Sequence, residues 1–135
     1  MSEKNGLVGI VVVSHNKKLA EEIINFCREM QQADFAIENG GGTDSEVYGT
    51  NPLIIYEAIK RADRGNGVLV FVDMRSSVMS TEMAIEMLGG EIEARLADVP
   101  VVEGSIAAIA GNFDGVTLDE LEKIAEESLT FRKKG

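Results

Sequence analysis

Two stretches of the chain are apolar almost throughout, and shorter apolar runs follow at intervals. Residues 6–14 and 67–73 are rich in Val and carry few polar side chains, which is typical of strands buried on both faces of a sheet. Residues 35–39 are a shorter strand candidate, and residues 95–104 contain another. Pro100 in that last segment indicates an edge strand or a strand end, because proline cannot donate to a central ladder.

The segments between these runs repeat apolar residues at helical spacing. Pro52 occupies a favourable first-turn position, and Thr117 with Glu120 has the spacing of a capping box. Ser76 is expected to cap its helix and Gly89 to end it. The predicted helices cover residues 16–30, 51–63, 76–88, 105–113 and 117–134.

Strand and helix candidates alternate along the chain. Helical crossovers make neighbouring strands parallel and cover both faces of the sheet with helices. The pattern therefore predicts an α/β fold with a single doubly wound, mainly parallel sheet. A length of 135 residues leads us to expect one domain over residues 1–135.

Composition excludes several classes of function. A formal net charge of −10 would repel the phosphates of nucleic acid, and no apolar run approaches the roughly 20 residues that span a bilayer. The N-terminal segment lacks a secretory pattern, and the single Cys27 cannot form an internal disulfide. We therefore expect a cytoplasmic protein that binds neither nucleic acid nor membrane.

Candidate chemistry gathers at one edge of the predicted sheet. Ligands of doubly wound sheets bind outside the carboxyl ends of the strands, near a change in strand order. Three loops reach this edge, at residues 14–16, 40–44 and 73–77. They bring together the only histidine, His15, the carboxylate of Asp73, a glycine-rich turn and several hydroxyl groups.

His15 has two interpretations. It is either a polar loop residue beside a helix start, or a nucleophile that forms a covalent intermediate. A phosphoryl group on it would meet the free amides and the positive dipole end of the following helix. Asp73 would either hold one ring nitrogen of His15 and leave the other free, or only cap the next helix. Lys17 and Lys18 indicate either an anionic ligand or two solvated lysines offset by nearby acids.

Some of the remaining candidates have both a structural and a functional interpretation, and others have only a structural one. Ser76 and Ser77 either cap a helix or hold phosphoryl oxygens, and the glycines at 40–42 either cradle a phosphate or only turn the chain. Neither a P-loop nor a dinucleotide fingerprint is present. Cys27 is predicted to be buried and inert, and a lone histidine without a ligand cluster argues against a metal site. Four methionines are predicted to belong to the core or to an interface: Met74, Met79, Met83 and Met87.

Four ordered segments carry a family resemblance: "GIVVVSHNKKLAEE", "GGTDSEVYGT", "GNGVLVFVDMRSSVMSTEMA" and "VPVVEGSIAAIA". They resemble the phosphotransfer subunits of phosphoenolpyruvate-dependent dihydroxyacetone kinases. More distantly, they are similar to the mannose-family enzyme IIA domains of the sugar phosphotransferase system. The resemblance covers about residues 9–110, and it implies a mannose-family enzyme IIA-like fold.

The resemblance implies a phosphoryl carrier. HPr would donate the phosphoryl group to His15, Asp73 would orient the ring, and ADP on a nucleotide-carrying kinase subunit would accept it. ADP, ATP and magnesium would belong to that partner, so that this chain binds no cofactor or metal itself, and the carrier is expected to be a homodimer. Arg75 departs from the small residue usual in the family. The expected phosphoryl-binding residues on the rim are Asn16, Gly41, Gly42, Thr43, Ser76 and Ser77.

Two other functions stay open. A sugar-transporter enzyme IIA would pass the phosphoryl group to a IIB partner, although such domains usually carry a Gly-Gly-Ser-Pro type loop where this chain has Arg75, Ser76 and Ser77. A non-catalytic regulatory module on a flavodoxin-like fold would not need an accessible His15. A receiver domain is disfavoured because no acidic pair ends the first strand.

Overall fold

The computed structural model describes residues 6–134. Residues 1–5 and 135, which include most of the N-terminal segment and the ends of the expected domain, lie outside the described residues. Four strands are present in the described part: β1 (Gly9–Val13), β2 (Ile37–Asn39), β3 (Val68–Val72) and β4 (Ala94–Ala97). The helices are α1 (Lys17–Arg28), α2 (Pro52–Ala62), α3 (Arg75–Met87), α4 (Val101–Ala110) and α5 (Leu118–Glu126), with a 3₁₀ turn at Glu127–Thr130.

The four strands form one parallel sheet in the order β2-β1-β3-β4. Every residue of β1 and of β3 is buried, because helices cover both faces of these two central strands. The strands pair directly, with Val13 opposite Val72. The predicted α/β fold, with a doubly wound parallel sheet, is confirmed.

The side chains of each central strand alternate between two cores. Ile10 and Val12 face the core formed with α1, α4 and α5. Val11 and Val13 face the core formed with α2 and α3. This burial on both sides explains why β1 has no polar residue before Ser14.

Two predicted boundaries are wrong. Ser76 does not cap α3, because the N-cap residue is Met74, which makes no side-chain cap bond. The serines therefore lie in the first turn, where Ser77 turns into the site described below. α4 begins at Val101 rather than near residue 105, and Pro100, at its N-cap position, follows the edge strand β4.

Other local predictions are confirmed. Thr117 and Glu120 form the complete capping box of α5. Gly89 follows the C-cap of α3 with a φ of 61°, a left-handed conformation that glycine adopts without strain. Cys27 is fully buried, and burial raises the pKa of its thiol to about 11.

Of the two predicted places for the methionines, core or interface, the core is wrong. Met74, Met79, Met83 and Met87 are between 48% and 67% exposed, so they form an apolar surface on α3 and its N-cap rather than part of either core. Helical periodicity identified residues of one face, but it did not identify what covers that face. Among residues 6–134, no helix combines the length and the apolar character needed to cross a membrane.

Candidate functional site

His15 and Asp73 meet at the carboxyl edge of the sheet. The two central strands end at the same level, with Val13 paired to Val72, so the residues that follow the two strands are neighbours. The Nδ1 atom of His15 lies 3.2 Å from Oδ1 of Asp73. The backbone amide of His15 also donates to Oδ2 of Asp73 at 3.0 Å. The carboxylate therefore holds both the backbone and the ring of His15.

Asp73 is held by hydroxyl groups as well. Ser14 Oγ donates to its Oδ2 at 3.0 Å, and Ser77 Oγ donates to its Oδ1 at 2.8 Å. Burial alone would raise the pKa of Asp73, but hydrogen bonds from the His15 amide, Ser77, Ser14 and the His15 ring hold it below its ordinary value. Asp73 is therefore an ionised acceptor at neutral pH.

The two ring nitrogens of His15 have different surroundings. An ionised carboxylate only accepts hydrogen bonds, so Nδ1 carries the proton that it donates to Asp73. The neutral ring then has its lone pair on Nε2, which lies 2.5 Å from the hydroxyl of Ser76. The side chain of His15 is 21% exposed. Its Nε2 is thus the nitrogen available for reaction at the rim.

Two helices begin beside this ring. Asn16 is the N-cap of α1, where its Oδ1 accepts from the Leu19 amide at 3.1 Å. The first amides of a helix have no intrahelical partner, and those of Lys17 and Lys18 come before the amide that Asn16 caps. α3 begins at Arg75, two residues after Asp73. Both helices direct the positive ends of their dipoles toward the edge that carries His15.

The glycine loop packs beneath the start of α1. Gly41 donates its amide to Asn39 Oδ1 at 2.8 Å, and Gly42 donates its amide to the Ser14 carbonyl at 2.9 Å. Gly42 has a φ of 78°, and a Cβ there would lie 2.8 Å from the Cβ of Lys17. These two amides support the shape of the rim through protein hydrogen bonds.

The segment after the glycines closes one side of the site. Thr43 donates its hydroxyl to the Val47 carbonyl at 2.9 Å, and Gly49 donates its amide to the His15 carbonyl at 2.8 Å. A cavity of about 260 Å³ lies between this segment and α1. The residues that line it are His15, Asn16, Lys17, Lys18, Gly42, Ser45, Glu46, Val47 and Tyr48.

A larger cavity of about 870 Å³ lies at the opposite edge of the sheet, near Gly67 and Thr117. The candidate site lies beside the smaller cavity, because His15 is among the residues that line that cavity. Among residues 6–134, no group of three His, Cys, Asp or Glu side chains is arranged to hold a metal ion.

Sequence reasoning brought His15, Asp73, Ser76 and Ser77 to one edge, and the structure brings them together. It assigned no role to two supporting residues. Ser14 is fully buried and binds Asp73, and Asn39 joins the end of β2 to the Lys17 carbonyl at 3.0 Å. A hydroxyl that ends an otherwise apolar strand next to the lone histidine was the available signal for Ser14.

The chain matches a protein family over most of its length. The model of a family described as "PTS system fructose IIA component" matches residues 9–121. A crystal structure described as that of the unknown function protein EF1359 aligns with a TM-score of 0.78 and 29% identity, over 93% of this chain and 96% of that chain.

Curated relatives carry a more specific description. The phosphoryl donor subunit DhaM of PEP-dependent dihydroxyacetone kinase from Escherichia coli K12 is 35% identical over 120 residues, which are 85% of this chain and 25% of that protein. The present chain thus spans about a quarter of the length of that relative. The phosphoryl donor subunit DhaM of PEP-dependent dihydroxyacetone kinase 2 from Listeria innocua is 33% identical over 104 residues, which are 76% of this chain and 83% of that protein.

Proposed function

Since the chain belongs to the family of PTS system fructose IIA components, we propose that it is a phosphoryl carrier with His15 as its phosphorylated residue. More specifically, we propose that it is the phosphoryl donor subunit of a dihydroxyacetone kinase, as its relatives are described. One observation carries the proposal: Asp73 holds Nδ1 of His15 while Nε2 faces the rim.

In the first transfer, the Nε2 lone pair attacks the phosphorus of a phosphohistidine on HPr. The new Nε2–P bond forms as the donor's N–P bond breaks, and the bonding electron pair returns to the donor ring. The proton on Nδ1 stays in its hydrogen bond to Asp73, which stabilises the positive charge that develops on the ring. Little proton movement is needed, so the protein contributes mainly position and charge.

Ser76 has a place in this step. Its hydroxyl faces the Nε2 lone pair in the resting state, so a rotation about its χ1 angle must free the nitrogen for attack. The same hydroxyl can then donate to a phosphoryl oxygen, together with the first amides of α1 and α3. Ser77 remains on Asp73 at 2.8 Å and keeps the carboxylate aligned.

In the second transfer, a terminal phosphate oxygen of ADP on a nucleotide-carrying kinase subunit attacks the phosphorus. The Nε2–P bond breaks, its electron pair returns to Nε2, and ATP forms on the partner. The nucleotide and its magnesium belong to the partner in this proposal. We also propose that the carrier works in the cytoplasm as a homodimer.

A second candidate function follows from the description of the family itself. A IIA component of a sugar transporter would use the same His15 chemistry, but it would pass the phosphoryl group to a IIB protein. The two functions differ only in the acceptor, so a comparison of acceptors separates them.

The test is a chase experiment. The carrier is labelled with radioactive phosphoenolpyruvate, enzyme I and HPr, purified, and mixed either with the ADP-loaded kinase subunit or with a mannose-family IIB protein. We expect loss of label from the carrier and formation of labelled ATP with the kinase subunit alone. Transfer to the IIB protein without transfer to ADP would replace the proposed function with the sugar-transport function.

A further inference from the structure

The rim around His15 carries positive charges on an acidic protein. Lys17 and Lys18 lie in the first turn of α1, and Arg75 is the first residue of α3. The three cations therefore lie at the starts of the two helices that begin beside His15. All three side chains are exposed. The chain as a whole has 23 acidic and 13 basic residues other than histidine, so this positive group belongs to a protein of net negative charge.

These rim cations (Lys17, Lys18 and Arg75) have no acidic partner among residues 6–134. Some other cations of the described chain do have one, as Arg61 does with Glu38 and Arg95 with Glu93 and Glu122, whereas Lys123, Arg132 and Lys134 have none either. Glu21 and Glu22 follow the two lysines by one helical turn but form no ion pair with them. The three positive charges beside His15 are thus able to pair with an anion from outside this chain.

The cations also act against helix stability. The first turns of α1 and α3 contain no acidic residue, although acids are favoured there by the helix dipole. α5 shows the ordinary arrangement, with Asp119 and Glu120 in its first turn and Lys123 in its last. A cation at a helix start opposes the helix dipole and so disfavours the helix. An anionic ligand at the rim would interact favourably both with these cations and with the helix dipoles.

The rim cations flank the reacting nitrogen rather than contact it. Nδ1 and Nε2 of His15 are occupied by Asp73 and Ser76, and none of the three cations hydrogen-bonds to these groups. A phosphoryl group on His15 would therefore be bound first by hydroxyls and amides. The three cations lie farther out, so they are suited to an anion that extends beyond the transferred phosphoryl group. Among the residues that line the cavity beside His15, Glu46 is the one carboxylate that would oppose such an anion.

We infer that Lys17, Lys18 and Arg75 form a docking surface for the phosphates of the nucleoside diphosphate that accepts the phosphoryl group. This inference rests on the proposed function, because the nucleotide is carried by the partner. The donor brings a single phosphoryl group, which ends at His15 itself. The acceptor brings two further phosphates, whose negative charges are complementary to the rim cations. As the terminal phosphate oxygen attacks, the Nε2–P bond breaks and the cations neutralise the charge that gathers between the two proteins.

The experiment compares the two transfers in one triple variant, Lys17→Gln/Lys18→Gln/Arg75→Gln. The matched control is Lys123→Gln/Arg132→Gln/Lys134→Gln, which removes three exposed cations from the C-terminal part of the chain and changes the net charge by the same amount. Stopped reactions measure kcat/KM for phosphorylation of the carrier by phospho-HPr, and separately for transfer from the purified phosphocarrier to the ADP-loaded kinase subunit.

We expect the rim variant to lose about tenfold or more in kcat/KM for the second transfer, with a weaker salt dependence than the wild type. The first transfer should change by no more than about threefold, and the control variant should resemble the wild type in both. The charge-conserving variant Lys17→Arg/Lys18→Arg/Arg75→Lys should recover most of the lost rate, which excludes a folding defect as the cause.

Two results would overturn the inference while the proposed function stands. One is an unchanged second transfer in the rim variant, and the other is an equal loss in both transfers, which would assign the cations to His15 rather than to the acceptor. A wild-type phosphocarrier that transfers nothing to ADP would overturn the proposed function itself, and the inference with it.

Discussion

At the scale of single residues, the site depends on one carboxylate that is kept ionised. Asp73 accepts hydrogen bonds from the His15 amide and ring and from Ser14 and Ser77. An acceptor that never carries a proton at neutral pH permits only the tautomer with hydrogen on Nδ1. The identity of the reactive nitrogen is thus a consequence of the group on the other side of the ring.

Replacement of this carboxylate by an amide tests that relation. The Asp73→Asn amide can donate to Nδ1, which favours the tautomer with hydrogen on Nε2 and removes the nucleophilic lone pair from the rim. We expect phosphorylation by phospho-HPr to slow by about 100-fold or more, as measured by radioactive uptake. Asp98→Asn removes an equal charge from an exposed position and should keep the wild-type rate. If Asp73→Asn were phosphorylated at the wild-type rate, the positioning role of Asp73 would be contradicted.

The lowered pKa of Asp73 also predicts how stability depends on pH. Because this carboxyl protonates at a lower pH in the folded protein than in the unfolded chain, its stabilising contribution is complete well above the unfolded pKa of about 3.9. The contribution is lost as the pH falls through the folded value. The difference in free energy of unfolding between wild type and Asp73→Asn should therefore be constant above about pH 5 and should narrow below pH 4, as measured by urea titration. A difference that stays constant to pH 3 would contradict the assignment.

At the scale of elements, the site is built where β1 and β3 end and α1 and α3 begin. The glycine loop after β2 must pass beneath the start of α1, since the Gly42 amide donates to the Ser14 carbonyl. Gly42 combines a positive φ with close approach to Lys17. The position of the first turn of α1, and so of the amides near His15, depends on this packing.

Gly42→Ala should show this dependence when compared with Gly115→Ala. Both positions have a positive φ, of 78° and 93°, but a Cβ at Gly115 would meet nothing within 4 Å. The backbone cost of about 1 kcal/mol is shared, so the extra loss in Gly42→Ala reports its clash with Lys17. We expect that extra loss to be about 1 kcal/mol or more in urea titrations. Phosphorylation should slow in Gly42→Ala only. Equal losses of stability in the two variants would contradict the packing argument.

The sequence was most informative where a local pattern had one physical cause. Continuous apolar runs predicted β1 and β3 because both faces are covered, and parallel strands that end together predicted the approach of His15 to Asp73. The predicted start of α3 was wrong because Ser76 and Ser77 are residue types that commonly cap helices. In the structure their hydroxyl groups instead hydrogen-bond to His15 and Asp73. Such long-range contacts have no local signature in the sequence.

At the scale of the whole molecule, the surface is uneven in both charge and polarity. The rim cations lie beside His15 on a protein with a net charge of −10, and α3 leads away from them with exposed Met79, Met83 and Met87. A row of exposed apolar side chains along one helix is typical of a contact surface. Under the proposed function, we expect both features to serve contacts with other proteins.

The methionine stripe gives a prediction about assembly, in line with the homodimer expected from the family resemblance. We expect the wild-type protein to be a dimer in sedimentation velocity experiments, and Met83→Glu to be a monomer, because the charge would be buried without a partner. Met30→Glu alters a methionine that is 45% exposed beyond the end of α1 and should remain dimeric. A wild-type monomer, or a dimeric Met83→Glu protein, would contradict this use of the stripe.

The central claim is that Nε2 of His15 carries the phosphoryl group. Its most direct test is a long-range ¹H–¹⁵N spectrum of the protein, labelled at its one histidine and phosphorylated with phosphoenolpyruvate, enzyme I and HPr. We predict phosphorus coupling at Nε2, a retained proton on Nδ1, and no phosphorylation of His15→Gln. Coupling at Nδ1, or label that survives in His15→Gln, would contradict the account.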